Sequence, residues 1–256
     1  MDAERPRHAS RLLNMALPPD QIEPRGVAPI DSGILARMEK IDQGALFRYR
    51  LDRLRAELRK RDYGAALLFD PMNVRYATGT RNMAVWTLHS PSRCAFVATH
   101  GPVSLFEFTS SRYGTVGSPI VDEVRPCPPW ISFLAGSRSE EKAHLWADEI
   151  ESLVRQYGGK NHRLAVDRCD PAGAARLLSH GVQLFDGQEV AERARMVKSP
   201  EEIACLQSAM EVCDLAVGRM RAALAPGITE NQLWSISFAR DRIPASIGAA
   251  WRGAPS

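Results

Sequence analysis

From Phe47 the apolar residues fall into a helical rhythm. Phe47, Leu51, Leu54 and Leu58 lie at i, i+4, i+7 and i+11, with Arg and Lys on the opposite face, which predicts an amphipathic helix. Its end is predicted near Asp62, with Gly64 just beyond. Gly64-Ala-Ala-Leu-Leu-Phe-Asp70 is then a continuous apolar run closed by Asp70-Pro71, which reads as a buried parallel strand and a turn. PMNVRYATG (71–79) reads as a short helix ending at Gly79. RNMAVWTLHSPSR (81–93) has no clean period and is expected to be an exposed or half-exposed loop. CAFVA (94–98) and VSLFEF (103–108) read as strands joined by the turn His100-Gly101-Pro102.

Residues 109–137 are rich in Ser, Gly and Pro, and Pro126, Pro128 and Pro129 argue against a helix or a central strand. A helix is predicted over 140–157, with Ser139 as N-cap and Gly158-Gly159 as its stop. RLAVD (163–167) is another buried strand, 171–180 a helix ending before Gly181, and VQLFDG (182–187) a strand. This order predicts an α/β domain over 44–190, with helices flanking a layered mixed sheet. Ahead of it, residues 1–43 hold Pro6, Pro18, Pro19, Pro24 and Pro29 and no sustained period, which predicts an extended arm.

A different region follows. Ser199-Pro200-Glu201-Glu202 is a helix start: Ser199 caps, Pro200 is the first helical residue, and the glutamates favour the positive end of the helix dipole. Ile203, Leu206, Met210, Cys213, Val217 and Met220 then repeat at spacings of three and four, a long amphipathic helix ended by Pro226-Gly227. Thr229 and Gln232 form a capping-box pattern for a next helix beginning NQLW.

Composition narrows the function classes. Lys and Arg number 33 against 30 Asp and Glu, and the basic residues are dispersed. Nucleic acid and anionic membrane are therefore not the expected partners. No window approaches a membrane span, and the N-terminus lacks the apolar core of a secretory signal. A disordered lead-in is favoured there over a transit peptide. The 5 cysteines include no CxxC, so reduced, mostly buried thiols in a cytoplasmic protein are expected. No GxSxG, HExxH, GxGxxG or GxxxxGK[ST] motif occurs. Asp167 and Asp170 flank Cys169 and should raise its thiol pKa, which argues against a reactive cysteine.

RMVKSPEEIACLQSAMEVCDLAV followed by PGITENQLW resembles the opening of the pita-bread catalytic domain of the creatinase, prolidase and Xaa-Pro aminopeptidase superfamily. The matching residues are Arg195, Lys198, Ser199, Glu202, Ala209, Pro226, Gly227, Thr229 and Glu230. Residues 44–190 resemble the creatinase-type N-terminal domain. RDYGAALLFDPMNVRYATGTRNMAVWTLHSPSR and GGKNHRLAVDRCDPAGAARLLSHGVQLFDGQEVAERARMVKSPEEI are similar to the dimethylsulfoniopropionate lyase-like branch. The implied organisation is an arm (1–43), a creatinase-type domain (44–190), the start of a pita-bread domain (191–234) and a divergent tail (235–256).

The resemblance implies a metal-dependent hydrolase or lyase acting on a peptide or small-molecule substrate. Such enzymes hold two divalent ions (Zn, Fe, Mn or Co) through two Asp, one His and two Glu, with a third Asp in the lyase-like branch. Those ligands lie downstream of the NQLW helix. Here the last histidine is His180, and Asp241 is the only acidic residue after Trp234. The chain is therefore expected to carry no catalytic or metal-binding residue and to be inactive alone. The alternative is a non-catalytic dimerisation or binding module, pairing with itself or with a full-length paralogue. The tail SISFARDRIPASIGAAWRGAPS keeps no period and reads as a shifted reading frame or an artificial end.

The substrate-loop candidates are Trp86, His89, Tyr76 and Arg93. In related dimers the loop at 80–93 approaches the partner's active site. Trp86 there could face a sulfonium cation, an interaction of about 1–2 kcal/mol, against the plainer reading of a loop packed on its own domain. Tyr76 is read chiefly as a packing and hydrogen-bonding residue. Arg75, Arg81 and Arg93 could meet a carboxylate, with solvated side chains as the default. His144 and His162 are read as surface residues.

Overall fold

A computed structural model describes residues 32–90, 92–108, 111 and 118–237. The tail at 238–256 and the arm up to residue 31 lie outside the described residues. The first element is a helix, α1 (Ser32–Glu39), inside the stretch expected to be extended. Its Ile34 is buried, which gives the short helix an anchor that the proline pattern upstream does not reveal.

The α/β domain runs α2 (Gln43–Lys60), β1 (Ala65–Leu68), α3 (Pro71–Thr78), α4 (Ala84–His89), β2 (Cys94–Ala98), β3 (Val103–Glu107) and β4 (Glu123–Pro126). It continues through α5 (Ser132–Ala135), α6 (Ser139–Gly158), β5 (Arg163–Val166), α7 (Pro171–Ser179), β6 (Gln183–Asp186) and α8 (Gly187–Met196). Two helices follow, α9 (Pro200–Ala223) and α10 (Glu230–Ser237).

The six strands form one mixed sheet in the order β4-β3-β2-β1-β5-β6. β1 pairs parallel with β5 (Ala65↔Leu164) and antiparallel with β2 (Ala65↔Ala98). The pairs β3/β4 and β5/β6 are parallel, and β2/β3 is antiparallel. Only β2 is reversed, so the other five strands end at one edge of the sheet.

Alternation along the strands divides the core. Leu67, Phe96, Phe106 and Leu164 pack under α6 and α7, where Trp130 and Trp146 stack with ring centres 4.4 Å apart. Leu68, Val97, Leu105 and Ala165 face Leu54 and Leu58 of α2, Tyr76 of α3, and Val190 and Ala194 of α8. The result is a helix–sheet–helix sandwich, the layered mixed-sheet domain expected from the sequence.

Helix starts follow the expected caps. Ser199 and Glu202 form a reciprocal capping box at α9. At α10 the Thr229 N–H donates to Gln232 Oε1 (2.9 Å) and the Gln232 N–H to Thr229 Oγ1 (3.2 Å). Gly79 closes α3 in the left-handed conformation (φ 69°).

Three local expectations need correction. Residues 81–93 are not all loop, because 84–89 form α4; a helix under two turns long is too short to display a period. The Ser/Gly/Pro-rich stretch does hold a short helix, α5, beyond its last proline, while β4, an edge strand with Pro126 as its last residue, fits the expectation of no central strand. Ser139 is not the cap of α6: it is the first helical residue, and its hydroxyl donates to the Trp130 carbonyl. The helix before β1 ends at Lys60, close to the expected Asp62, and Asp62 itself takes the left-handed conformation (φ 54°). The cysteines also differ: Cys94 and Cys127 are buried, Cys169 and Cys205 half-buried and Cys213 exposed, all as free thiols.

The end of α8 is tied down by side chains from α2 and α3. Tyr49 Oη donates to the Val197 carbonyl (3.1 Å), Tyr76 Oη to the Ala194 carbonyl (3.0 Å) and Arg53 Nη2 to the Arg193 carbonyl (3.4 Å). Arg50 Nε donates to Glu202 Oε1 across 2.8 Å, which fixes the first turn of α9 to α2.

Candidate functional site

In sheets of this kind, ligands bind outside the carboxyl ends of parallel strands. At that edge the structure gathers α4 and two buried polar networks. The first begins with Glu107, the last residue of β3. Its Oε2 accepts from Arg93 Nε (2.5 Å), and its Oε1 from Asn82 Nδ2 (2.7 Å) and the Phe108 N–H (3.0 Å). Arg93 Nη2 also donates to Thr80 Oγ1 (2.6 Å), which sits 2.7 Å from Thr78 Oγ1. Both members of the Arg93–Glu107 pair are almost wholly buried, so each satisfies a charge that water does not reach.

This network clamps both ends of the segment carrying α4. Asn82 and Arg93 precede and follow the helix and bind the same carboxylate. Arg168 Nη2 adds a bond to the Leu88 carbonyl (3.1 Å). Thr87 is turned inward, while Met83, Val85 and Leu88 are exposed. The apolar outer side of α4 is thus presented on a rigid mount.

The second network surrounds Asp167, just past β5. It accepts from the N–H groups of Phe69 (2.7 Å) and Asp70 (3.0 Å) and from Asn73 Nδ2 (2.9 Å). Burial raises its carboxyl pKa, against these donors, which favour the charged form. Asn73 Nδ2 also donates to Gln188 Oε1 (2.8 Å), joining α3 to α8. Cys169 is pushed up to about 12 by burial, then by Asp170 and Asp167, so its thiol is unreactive as expected.

Of the sequence candidates, Trp86 and His89 lie on α4, but their side chains are outside those described. Arg93 belongs with that segment through Glu107, as a buried ion-pair partner and not the solvated arginine of the default reading. Arg75 is half-buried, and burial and the neighbouring Arg50 hold its pKa down. Tyr76 stands apart. It is buried against α8, and burial, then Glu202, raise its hydroxyl pKa, so it stays protonated and donates to Ala194. Glu107, Asn82 and Thr80 were not singled out from the sequence. The available signal was a lone glutamate ending an apolar strand, VSLFE.

The donor set does not fit a metal pair: among the described residues no group of three or more His, Cys, Asp or Glu is placed to hold a metal ion. Among them too, no helix is long and apolar enough to cross a membrane.

Residues 50–197 match the family model of the creatinase/prolidase N-terminal domain. The chain belongs to the creatinase/prolidase family. Within it, the chain is 34% identical over 206 residues to dimethylsulfoniopropionate lyase DddP of Roseobacter denitrificans, covering 78% of this chain and 46% of that protein. It is 32% identical over 198 residues to DddP of Roseovarius nubinhibens, covering 75% and 44%. The chain thus spans about half the length of the curated relatives it matches. Among solved structures, a prolidase from Thermococcus sibiricus superposes with a TM-score of 0.54 at 18% identity, over 75% of this chain and 48% of that one. An Xaa-Pro dipeptidase from Bacillus anthracis gives 0.53 at 16%, over 74% and 48%. At such identities these likenesses speak for the creatinase/prolidase fold alone.

Proposed function

We propose that this chain supplies the creatinase-type N-terminal half of a metal-dependent enzyme of the dimethylsulfoniopropionate lyase-like branch, and that alone it has no turnover. The observation that carries the reading is the family match over 50–197 joined to a donor set that cannot hold a metal pair among the described residues. The sequence after Trp234 adds only Asp241 to that set. The divalent ions of the full-length relatives (Zn, Fe, Mn or Co) would supply Lewis-acid chemistry from a domain beyond these residues. An Xaa-Pro peptidase-like activity is the neighbouring option, supported by the fold alone. The α4 segment is read as the substrate-side surface, with Trp86 and His89 on it and the Arg93–Glu107 pair as its mount. Five free thiols support a cytoplasmic setting.

The second reading, a non-catalytic association module, is favoured by the exposed apolar side of α9. Metal analysis and turnover assays on the purified chain test the first. Sub-stoichiometric metal and no release of dimethyl sulfide or cleavage of an Xaa-Pro dipeptide are expected. Tightly held stoichiometric metal would overturn it.

A further inference from the structure

Helices α1 and α9 lie on either side of residues 50–197, the stretch that matches the family domain, and they pack on each other. One face of each makes the contact. On α1, Ile34 is buried, and Arg37 and Met38 stand beside it three and four residues on. On α9, the buried Ser208 and Glu211 are likewise three apart, and Glu211 pairs with Arg37. This stripe is separate from Leu206, Met210 and Val217, which are exposed. The Arg37–Glu211 pair is about half exposed, a setting in which an ion pair contributes little. Ile34 therefore supplies the hold, and the pair fixes the register.

We propose that α1 is a conditional strap: it is helical only while it lies on α9, and it holds the middle of α9 in place. Two features carry this. The first is length. Isolated helices shorter than about 12 residues are marginal in water. α1 has 8 residues and no acidic residue in its first turn, so its helicity comes from α9. The second is the tether. Residues 40–42 alone join α1 to α2, and the N–H groups of Lys40 and Ile41 donate back to the carbonyls of Arg37 and Met38. That tight turn keeps α1 close to α2, whose Arg50 binds Glu202 in the first turn of α9. α9 is thus gripped twice from one side, at its start by Arg50 and at mid-length by α1. Any surface that takes the Ser208 face of α9 has to release α1 first, which couples the N-terminal segment to the pose of α9.

Hydrogen exchange on the whole chain is the test. In the wild type the amides of 36–39 and of 208–214 are expected to be protected. Ser208→Arg places bulk and charge on the covered face of α9. It should speed exchange at 36–39 on the order of 10-fold, although no residue of α1 has changed. Ile34→Asp should do the same and also speed exchange at 208–214. Near-ultraviolet circular dichroism from the stacked Trp130 and Trp146 should be unchanged in both, because neither substitution touches the sandwich core. Glu211→Arg should give a smaller rise, reversed by adding Arg37→Glu. Wild-type exchange at 36–39 as fast as in an unstructured chain would overturn the strap. So would protection there that survives Ser208→Arg, since α1 would then not depend on α9. Exchange at 208–214 unmoved by Ile34→Asp would leave a helix that rides on α9 without holding it, and this too overturns the proposal.

Discussion

Glu107 and Arg93 form a charge pair with no water to fall back on, so each is costly to lose alone. Glu107→Gln leaves an uncompensated buried guanidinium and should destabilise the fold by about 3–5 kcal/mol in urea unfolding. Arg93→Met with Glu107→Leu should recover most of that loss. Tyr76 gives a pH signature. Its hydroxyl pKa is raised in the folded state, chiefly by burial. The stability it contributes is therefore intact below the unfolded value of about 10 and is lost as pH rises through the folded value. Tyr76→Phe should cost about 0.5–1.5 kcal/mol at neutral pH and flatten the fall in stability above pH ~10. At this scale the sequence was half legible. Tyr76 and the inert Cys169 followed from local chemistry. A glutamate inside an apolar strand demanded a partner, but which arginine answers it depends on how 80–93 folds back.

Elements whose signals are local were read well. Ser199, Thr229 and Gly79 sit where their chemistry put them, and Ser199→Ala should cost about 1 kcal/mol as a lower midpoint for melting of α9. Elements that depend on neighbours were missed. β4 exists because β3 offers an open edge, and α4 because its flanks are clamped by Glu107. The turn after α2 shows the competition directly. A Cβ on Gly64 would lie 2.6 Å from the Asn161 carbonyl oxygen, so that glycine is spent on close approach to the segment before β5. Asp62 takes the left-handed position instead. Gly64→Ala should therefore destabilise by about 1–3 kcal/mol, seen as a lower urea midpoint with an unchanged slope.

For the whole molecule, the layered domain and the long helix were legible because both rest on periodicity. The single reversed strand was not, since strand direction leaves no periodic trace. Removing residues 198–256 should leave the sandwich folded, because its two core layers are closed by residues up to Ala194. The shortened chain should unfold cooperatively and be more soluble. Aggregation of the shortened chain would show that α9 completes the domain's own core.

The bonds from Tyr49, Tyr76 and Arg53 to the last carbonyls of α8, and from Arg50 to Glu202, have a kinetic consequence. Together with the Arg37–Glu211 pair half-way along it, they hold a helix of about 36 Å against the domain as a fixed strut. The orientational entropy of that strut is lost once, during folding, and not again at each encounter. Loosening the root with Arg50→Ala should therefore slow the association of α9 with any surface it meets, even though its exposed residues are unchanged.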